Sequence, residues 1–211
     1  MLTFEQNLDR GFLSTAGKQL LSREEFLFGQ RSAEETEEGK HIARDWETLN
    51  VKIQEALLGT FNPENIPEVL TSAVEAIQQE EGQDRKWEER RQSGDPPPWR
   101  PRRCRHLHES LLRGMVEERL DDDKITPLQQ GTELSSVQMD IVRMFKRLKD
   151  DLLRVVEVVK GCYPDEMDIC NVYASMYHQA LGSRLGVVVD FGLCEKDCSY
   201  VLTWVNSYYP Q

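Results

Sequence analysis

Two cysteines near the end of the sequence have the spacing of metal ligands on one face of a helix. Cys194 and Cys198 are four residues apart, and His178 is a conceivable third ligand. Zinc sites are more often built from two paired ligand motifs, and no second pair accompanies these thiols. Buried or incidental cysteines are the favoured interpretation. We therefore expect no metal site and no bound cofactor.

Two further groups imitate reactive sites but lack residues that such sites need. His106 and His108 would point about 200° apart on a helix, so they cannot readily share a metal ion. Asp121, Asp122 and Asp123 lack the alternating ligands and closing glutamate of a calcium-binding loop. The sequence contains no glycine-rich phosphate-binding loop and no nucleophile elbow. It thus predicts no catalytic residues and a protein that is not an enzyme.

The clearest charge feature is a basic segment that spans residues 85–105. Eight basic residues stand against three acidic ones, which gives this segment a net charge of +5 in a chain of net −11. Its candidate contact residues are Arg85, Lys86, Arg90, Arg91, Arg100, Arg102, Arg103, Arg105 and Trp99. Cations are attracted to an anionic leaflet and tryptophan suits its interface, so one interpretation is contact with a membrane surface or an acidic partner. The alternative is a linker kept soluble by its charge, whose tryptophans pack on neighbouring helices.

The composition of the 211 residues narrows the class of protein. Asp and Glu number 37 against 26 Lys and Arg, so we expect no nucleic-acid partner, because such binding needs a positive surface. No run of 18 apolar residues is present, and the N-terminus lacks the features of a secretory signal. Five cysteines without regular spacing favour a reducing compartment. We expect a cytoplasmic protein.

The elements that would carry these residues all read as helices, because apolar residues recur at spacings of three and four. Thr3 and Gln6 form a capping box at the start of the first helix, and Gly11 interrupts it. Pro67 suits the start of a later helix, where its missing N–H costs nothing. A heptad-like apolar stripe marks the helix between them: Ile42, Trp46, Leu49, Ile53 and Ala56.

The second half continues this pattern after a proline-rich segment, SGDPPPWRPRR, which favours an extended connector. One helix carries Leu107, Leu111, Met115 and Leu120. The strongest stripe runs from Leu134 to Val159, opposite a mixed-charge face that includes Asp151 and looks solvated. The valine run in GVVVDFG reads as helix continuation or a buried turn, since no second strand is evident. We predict an N-terminal helical hairpin or coiled coil at 1–92, a linker at 93–103 and a helical bundle at 104–211.

Four segments in order resemble the exocyst subunit 3 family, with most similarity to its vertebrate 3-like, M-Sec-type branch. These segments are LSTAGKQLLSREEFLFGQ, SAVEAIQQEEGQDRKWEE, PPPWRPRRCRHLHESLLRGMVEERL and DCSYVLTWVNSYYP. The resemblance spans most of the chain and depends on the series rather than on one motif. Because family members continue through further helical bundles, the sequence reads as an N-terminal portion or a truncated product.

The resemblance implies a fold and a role. Members are all-α rods of antiparallel helical hairpins and stacked bundles that help dock secretory vesicles at the plasma membrane. The implied partners are other exocyst subunits, SNARE proteins and a Ral-type small GTPase. The implied location is cytoplasmic, at the periphery of the plasma membrane or at vesicle docking sites. A peripheral membrane or cytoskeletal adaptor that uses residues 85–105 outside the exocyst is the alternative.

Overall fold

The structure is a computed structural model that describes residues 2–29, 37–90, 96–121, 135–190 and 194–208. Within these ranges it is helical without any strand, which confirms the all-α prediction. The helices are α1 (Phe4–Asp9), α2 (Leu13–Gly29), α3 (Glu37–Leu58), α4 (Pro67–Arg90), α5 (Cys104–Asp121), α6 (Ser136–Glu157), α7 (Ile169–Asp190) and α8 (Glu195–Tyr208). None of the helices so described is both long and apolar enough to cross a membrane.

The first two helices follow from local sequence signals. Thr3 Oγ1 accepts a hydrogen bond from the Gln6 amide at 3.2 Å, and Gln6 Oε1 accepts from the Thr3 amide at 3.0 Å, so the capping box is confirmed. Gly11 separates α1 from α2 with φ of 73°, a conformation that side chains other than hydrogen disfavour. A Cβ added there would lie 2.8 Å from Cγ2 of Val69.

The chain divides into two compact units, and each has its own core. Unit 1 comprises Met1–Leu112 with Gly161–Pro164, and unit 2 comprises Arg113–Lys160 with Asp165–Gln211. In unit 1, α2, α3 and α4 pack against one another as a three-helix bundle. Every residue of the predicted α3 stripe is buried there, and α4 begins at Pro67 as predicted. The assignment of domains at 1–92, 93–103 and 104–211 stays a prediction.

Unit 2 is built around α6, whose apolar stripe faces α7 and α8. Ser135 and Gln138 form a second capping box at its start. Ile141, Leu148 and Val155 are buried as the stripe predicts. Helix α7 continues through the valine run to Asp190, which confirms helix continuation; residues 191–193 lie outside the described residues.

One predicted helix face is wrong by a single position at its start, although Met115 and Leu120 are buried as predicted. Leu107 was expected on the buried stripe of α5 but is 42% exposed, whereas His108 and Leu112 are buried. Helix α5 begins at Cys104, which is also buried, and residues four apart share a face of a helix. The inward face of its first two turns therefore runs through Cys104, His108 and Leu112.

Asp151 of α6 is also not solvated, contrary to the expectation for its face. It is buried and accepts two hydrogen bonds from Arg119, at 2.6 and 2.5 Å, and one from the hydroxyl of Tyr177. Burial and the Asp151 carboxylate raise the pKa of Tyr177, which keeps this hydroxyl protonated as a donor. Asp151 thus links α5, α6 and α7 within unit 2.

Candidate functional site

The most concentrated polar site in unit 1 surrounds Arg100, which comes from the proline-rich segment. Its side chain is 2% exposed and contacts three carboxylates. Arg100 Nη1 donates to Glu80 Oε2 and Asp84 Oδ1, both at 2.7 Å. Nε and Nη2 donate to Glu24 at 3.0 and 3.1 Å. We call Arg100, Glu24, Glu80 and Asp84 the Arg100 cluster.

Burial and charge act against each other in the Arg100 cluster. Burial alone would lower the pKa of Arg100, but Glu80 and Glu24 outweigh it, and the pKa is raised above its ordinary value. Burial raises the pKa of Glu80 above its ordinary value, although Arg100 and Arg102 oppose this effect. Because a buried charge is costly without a partner, removal of one partner destabilises the rest of the Arg100 cluster.

Two tryptophans also donate hydrogen bonds to Glu24. Trp87 Nε1 donates to Glu24 Oε1 at 2.8 Å, and Trp99 Nε1 donates to Oε2 at 2.7 Å. The ring of Trp99 also meets that of Phe28 edge-on, with centroids 5.3 Å apart. Glu24 therefore fixes α2, α4 and the proline-rich segment around one carboxylate.

Arg102 is the second buried cation of this segment. Its guanidinium lies 4.0 Å from the centroid of the Trp46 ring, and its Nε lies 3.3 Å from Glu80 Oε2. Burial lowers the pKa of Arg102 to about 10, since it outweighs the attraction of Glu80. The stacking on Trp46 gives the guanidinium a contact with α3 that a lysine would reproduce poorly.

Carboxylates of α4 also hold the backbone that leads into α5. Asp84 accepts from the amides of Arg102 and Arg103 at 3.1 and 2.9 Å, and Glu81 accepts from the amide of Arg105 at 3.0 Å. Arg103 and Arg105 lie at the start of α5, where the first amides have no partner within the helix, so Asp84 and Glu81 act there as caps supplied by another helix. We call residues 96–103 the strap, because they cross from α4 to α5 over this site.

The residues predicted to contact a membrane or an acidic partner divide into two sets. The side chains of Arg100 and Arg102 are buried, which corrects their assignment as surface contacts: their charges are matched within unit 1. Trp99 is half-buried, and Arg91 lies outside the described residues. The exposed members are Arg85, Lys86, Arg90, Arg103 and Arg105. Among them Lys86 pairs with Glu25, and Arg105 with Glu109, both at 3.3 Å.

Sequence reasoning missed Glu24, Glu80 and Asp84, the acidic half of the cluster. A signal was present for α4, because Glu80, Asp84 and Trp87 extend its apolar stripe at helical spacing beyond Ile77. Charged residues in such positions are usually solvated, and the chain holds 37 acidic residues. Nothing local to Glu24 marks it as the partner of an arginine so distant in sequence.

The residues that are spaced like metal ligands do not form a site in the described part of the chain. No group of three His, Cys, Asp or Glu side chains there is arranged to hold a metal ion. Cys194 and Cys198 are both exposed, so of the two interpretations given above, buried or incidental thiols, burial does not hold. His106 is exposed, whereas His108 is buried and its Nε2 lies 2.9 Å from the Tyr163 hydroxyl. Burial lowers the pKa of His108 to about 4. Asp122 and Asp123 lie outside the described residues.

Comparison with known proteins gives a consistent result. A family model described as "Exocyst complex component Sec6" matches residues 40–211. Tumor necrosis factor alpha-induced protein 2 of Mus musculus is 33% identical over 171 residues, which are 78% of this chain and 24% of that protein. Exocyst complex component 3 of Drosophila melanogaster is 28% identical over 168 residues, 77% of this chain and 22% of that protein.

A solved structure has the same fold. The crystal structure of M-Sec superposes with a TM-score of 0.74 at 25% identity, and the match covers all of this chain and 37% of that one. The chain thus spans about a quarter of the length of the two curated relatives named above.

Proposed function

Because the chain belongs to the Sec6 family of exocyst components, we propose that it is a non-enzymatic vesicle-tethering component in exocytosis. The observation that carries this proposal is the family match over residues 40–211, which agrees with the resemblance inferred from the sequence. The shared fold with M-Sec supports it, since such a role depends on surfaces presented by a helical scaffold. In general terms, the proposed role is that of an exocyst-type component.

The finer proposal concerns partners and place. The chain acts through helix-face contacts with other exocyst subunits, SNARE proteins or a Ral-type GTPase, in the cytoplasm at the periphery of the plasma membrane or at docking sites. An exposed aliphatic pair on α6 offers one such face. Leu153 and Val156, one helical turn apart, are 52% and 60% exposed. Apolar side chains of this size are typical of contact surfaces when they lie together.

Affinity purification of the tagged full chain from cytosol tests the proposal. We expect other exocyst subunits to co-purify, and the double variant L153K/V156K to lose them while it retains native helicity. Lys149→Glu, at an exposed position of the same helix, is the matched control for a change of surface charge. Leu148→Pro, which breaks the core of α6, is the control for loss of the fold. Recovery of no tethering protein by a folded chain would overturn the proposal.

The exposed cations of unit 1 favour a second candidate function, a peripheral membrane or cytoskeletal adaptor outside the exocyst. Arg85, Arg90 and Arg103 are solvent-facing members of the basic segment. Flotation with vesicles that contain anionic lipid distinguishes this role. Binding that falls with salt, and that is lost in R85E/R90E/R103E, supports it. Absent or salt-independent binding rejects it.

A further inference from the structure

We propose that the strap is a detachable intramolecular ligand, and that the pocket it fills on α2 and α4 is a recognition site for arginine-containing peptides. The pocket consists of Glu24, Glu80, Asp84 and Trp87, with Trp46 of α3 at its edge. This inference concerns unit 1 alone and does not depend on the tethering role.

The strap is attached as a bound peptide would be. Residues 96–103 form neither helix nor strand. Their side chains supply a deep cation (Arg100), a stacked cation (Arg102) and an indole donor (Trp99) to the surface of the bundle. Their backbone adds two donors to Asp84. Bidentate guanidinium–carboxylate pairing combined with aromatic stacking is the chemistry by which proteins select arginine over lysine.

The pocket is formed by helices that pack on one another without the strap. Helix α2 packs directly on α4, and both pack on α3, through a core that contains Leu20, Leu49, Ala73 and Ile77. These residues are buried between the three helices. Release of the strap would hydrate the carboxylates and indoles but leave this core in place. Docking and folding of the bundle are therefore separable events.

The polar contacts between the strap and the pocket are incomplete, which favours replacement of the strap by another peptide. Three carboxylates face two guanidinium groups, so the site holds one negative charge in excess. Two buried polar atoms in it lack a hydrogen-bond partner within the protein: Glu80 Oε1 and Trp46 Nε1. Each such atom costs free energy that water would restore on release. The free energy needed to release the strap is therefore smaller than it would be if every buried polar atom had a partner.

Hydrogen exchange of the full chain tests detachment. The strap amides of Arg102 and Arg103 donate to Asp84 of α4, whereas the amides of Val74 and Ile77 lie in the interior of α4. We expect the strap amides to exchange at least about tenfold faster than the α4 amides, through an opening smaller than global unfolding. Arg100→Lys should speed the strap amides further and leave the α4 amides unchanged. Exchange of both sets at one common rate would overturn the proposal.

Binding in trans tests the pocket. The probe is a synthetic peptide with the strap sequence PPPWRPRR, titrated calorimetrically into the full chain carrying W99A/R100A. We expect saturable binding, at least about tenfold weaker binding to the unmodified chain because its own strap competes, and loss of binding when lysine replaces the first arginine of the peptide. A folded variant that does not bind the peptide, or that binds the lysine-containing peptide with the same affinity, would overturn the proposal. If the variant does not fold, the exchange experiment on the unmodified chain decides.

Discussion

Arg100 and Glu24 form a buried two-point ion pair across 76 positions of sequence, with Nε 3.0 Å from Oε1 and Nη2 3.1 Å from Oε2. The sequence predicts a solvated connector here, but this pair holds the segment against the helices of unit 1. Its consequence is that the basic charge at residues 100–102 is matched internally. The exposed arginines of the basic segment that remain for external partners are Arg85, Arg90 and Arg103.

Arg100→Ala should destabilise unit 1 by about 3–5 kcal/mol, because Glu24, Glu80 and Asp84 lose their main cation and the strap loses its deepest contact. Arg103→Ala is the matched control, since Arg103 lies in the same segment with an exposed side chain, and its cost should stay within about 0.5 kcal/mol. Urea unfolding followed by circular dichroism measures both. Equal midpoints for the two variants would show that the Arg100 cluster contributes no stability.

Asp151→Asn should destabilise unit 2 by about 2–4 kcal/mol, because Arg119 and Tyr177 lose a charged acceptor in a buried site. The adjacent Asp150 is exposed, so Asp150→Asn should change the free energy of unfolding by less than about 0.5 kcal/mol. Thermal unfolding of the two asparagine variants makes the comparison. A larger shift for Asp150→Asn would contradict the assignment of the buried link to Asp151.

Stability should fall as the pH drops from about 6.5 towards 4, because the pKa of His108 is about 4 in the folded chain and about 6.5 when unfolded. In this window the unfolded state binds the extra proton, so acid favours unfolding, by up to about 3 kcal/mol. His108→Phe should flatten the dependence of the urea midpoint on pH. His106→Phe, at an exposed position, should leave the slope as it is. An unchanged slope in His108→Phe would assign the effect to other groups.

Two glycine substitutions should act in opposite directions. Gly11→Ala should destabilise by about 1–2 kcal/mol, because φ is 73° and the new Cβ would press on Val69. Gly114 lies within α5 with open space around it, so Gly114→Ala should stabilise by about 0.5–1 kcal/mol. Differential scanning calorimetry reads both shifts. Two shifts of the same sign would contradict the local conformations.

Periodicity and capping chemistry were enough to predict the helices. The Thr3 capping box, the break at Gly11 and the α3 stripe all depend on residues within a few positions of one another. The face of α5 was missed because His108 is polar and Leu107 apolar, so hydropathy points to the wrong neighbour. In the folded unit His108 faces inward with Cys104 and Leu112, and its Nε2 lies 2.9 Å from the Tyr163 hydroxyl.

The candidate site could be predicted only in part, for a physical reason. The sequence marks Trp99 and the arginines as unusual, because cations and tryptophans are concentrated there. Whether Arg100 faces solvent or Glu24 depends on how α2 packs against α4, which no local pattern specifies. Asp151 shows the same limit: its neighbours in sequence are charged, and its partners come from two other helices.

Direct binding of the purified chain to exocyst complex that lacks its subunit 3 tests the central claim, the tethering role, most closely. Biolayer interferometry would give the affinity, with Leu148→Pro as the control for a broken fold. The account predicts saturable binding of the unmodified chain that is lost in the Leu148→Pro control and reduced at least about tenfold in L153K/V156K. No binding by a chain that unfolds cooperatively and retains its helicity would contradict the role.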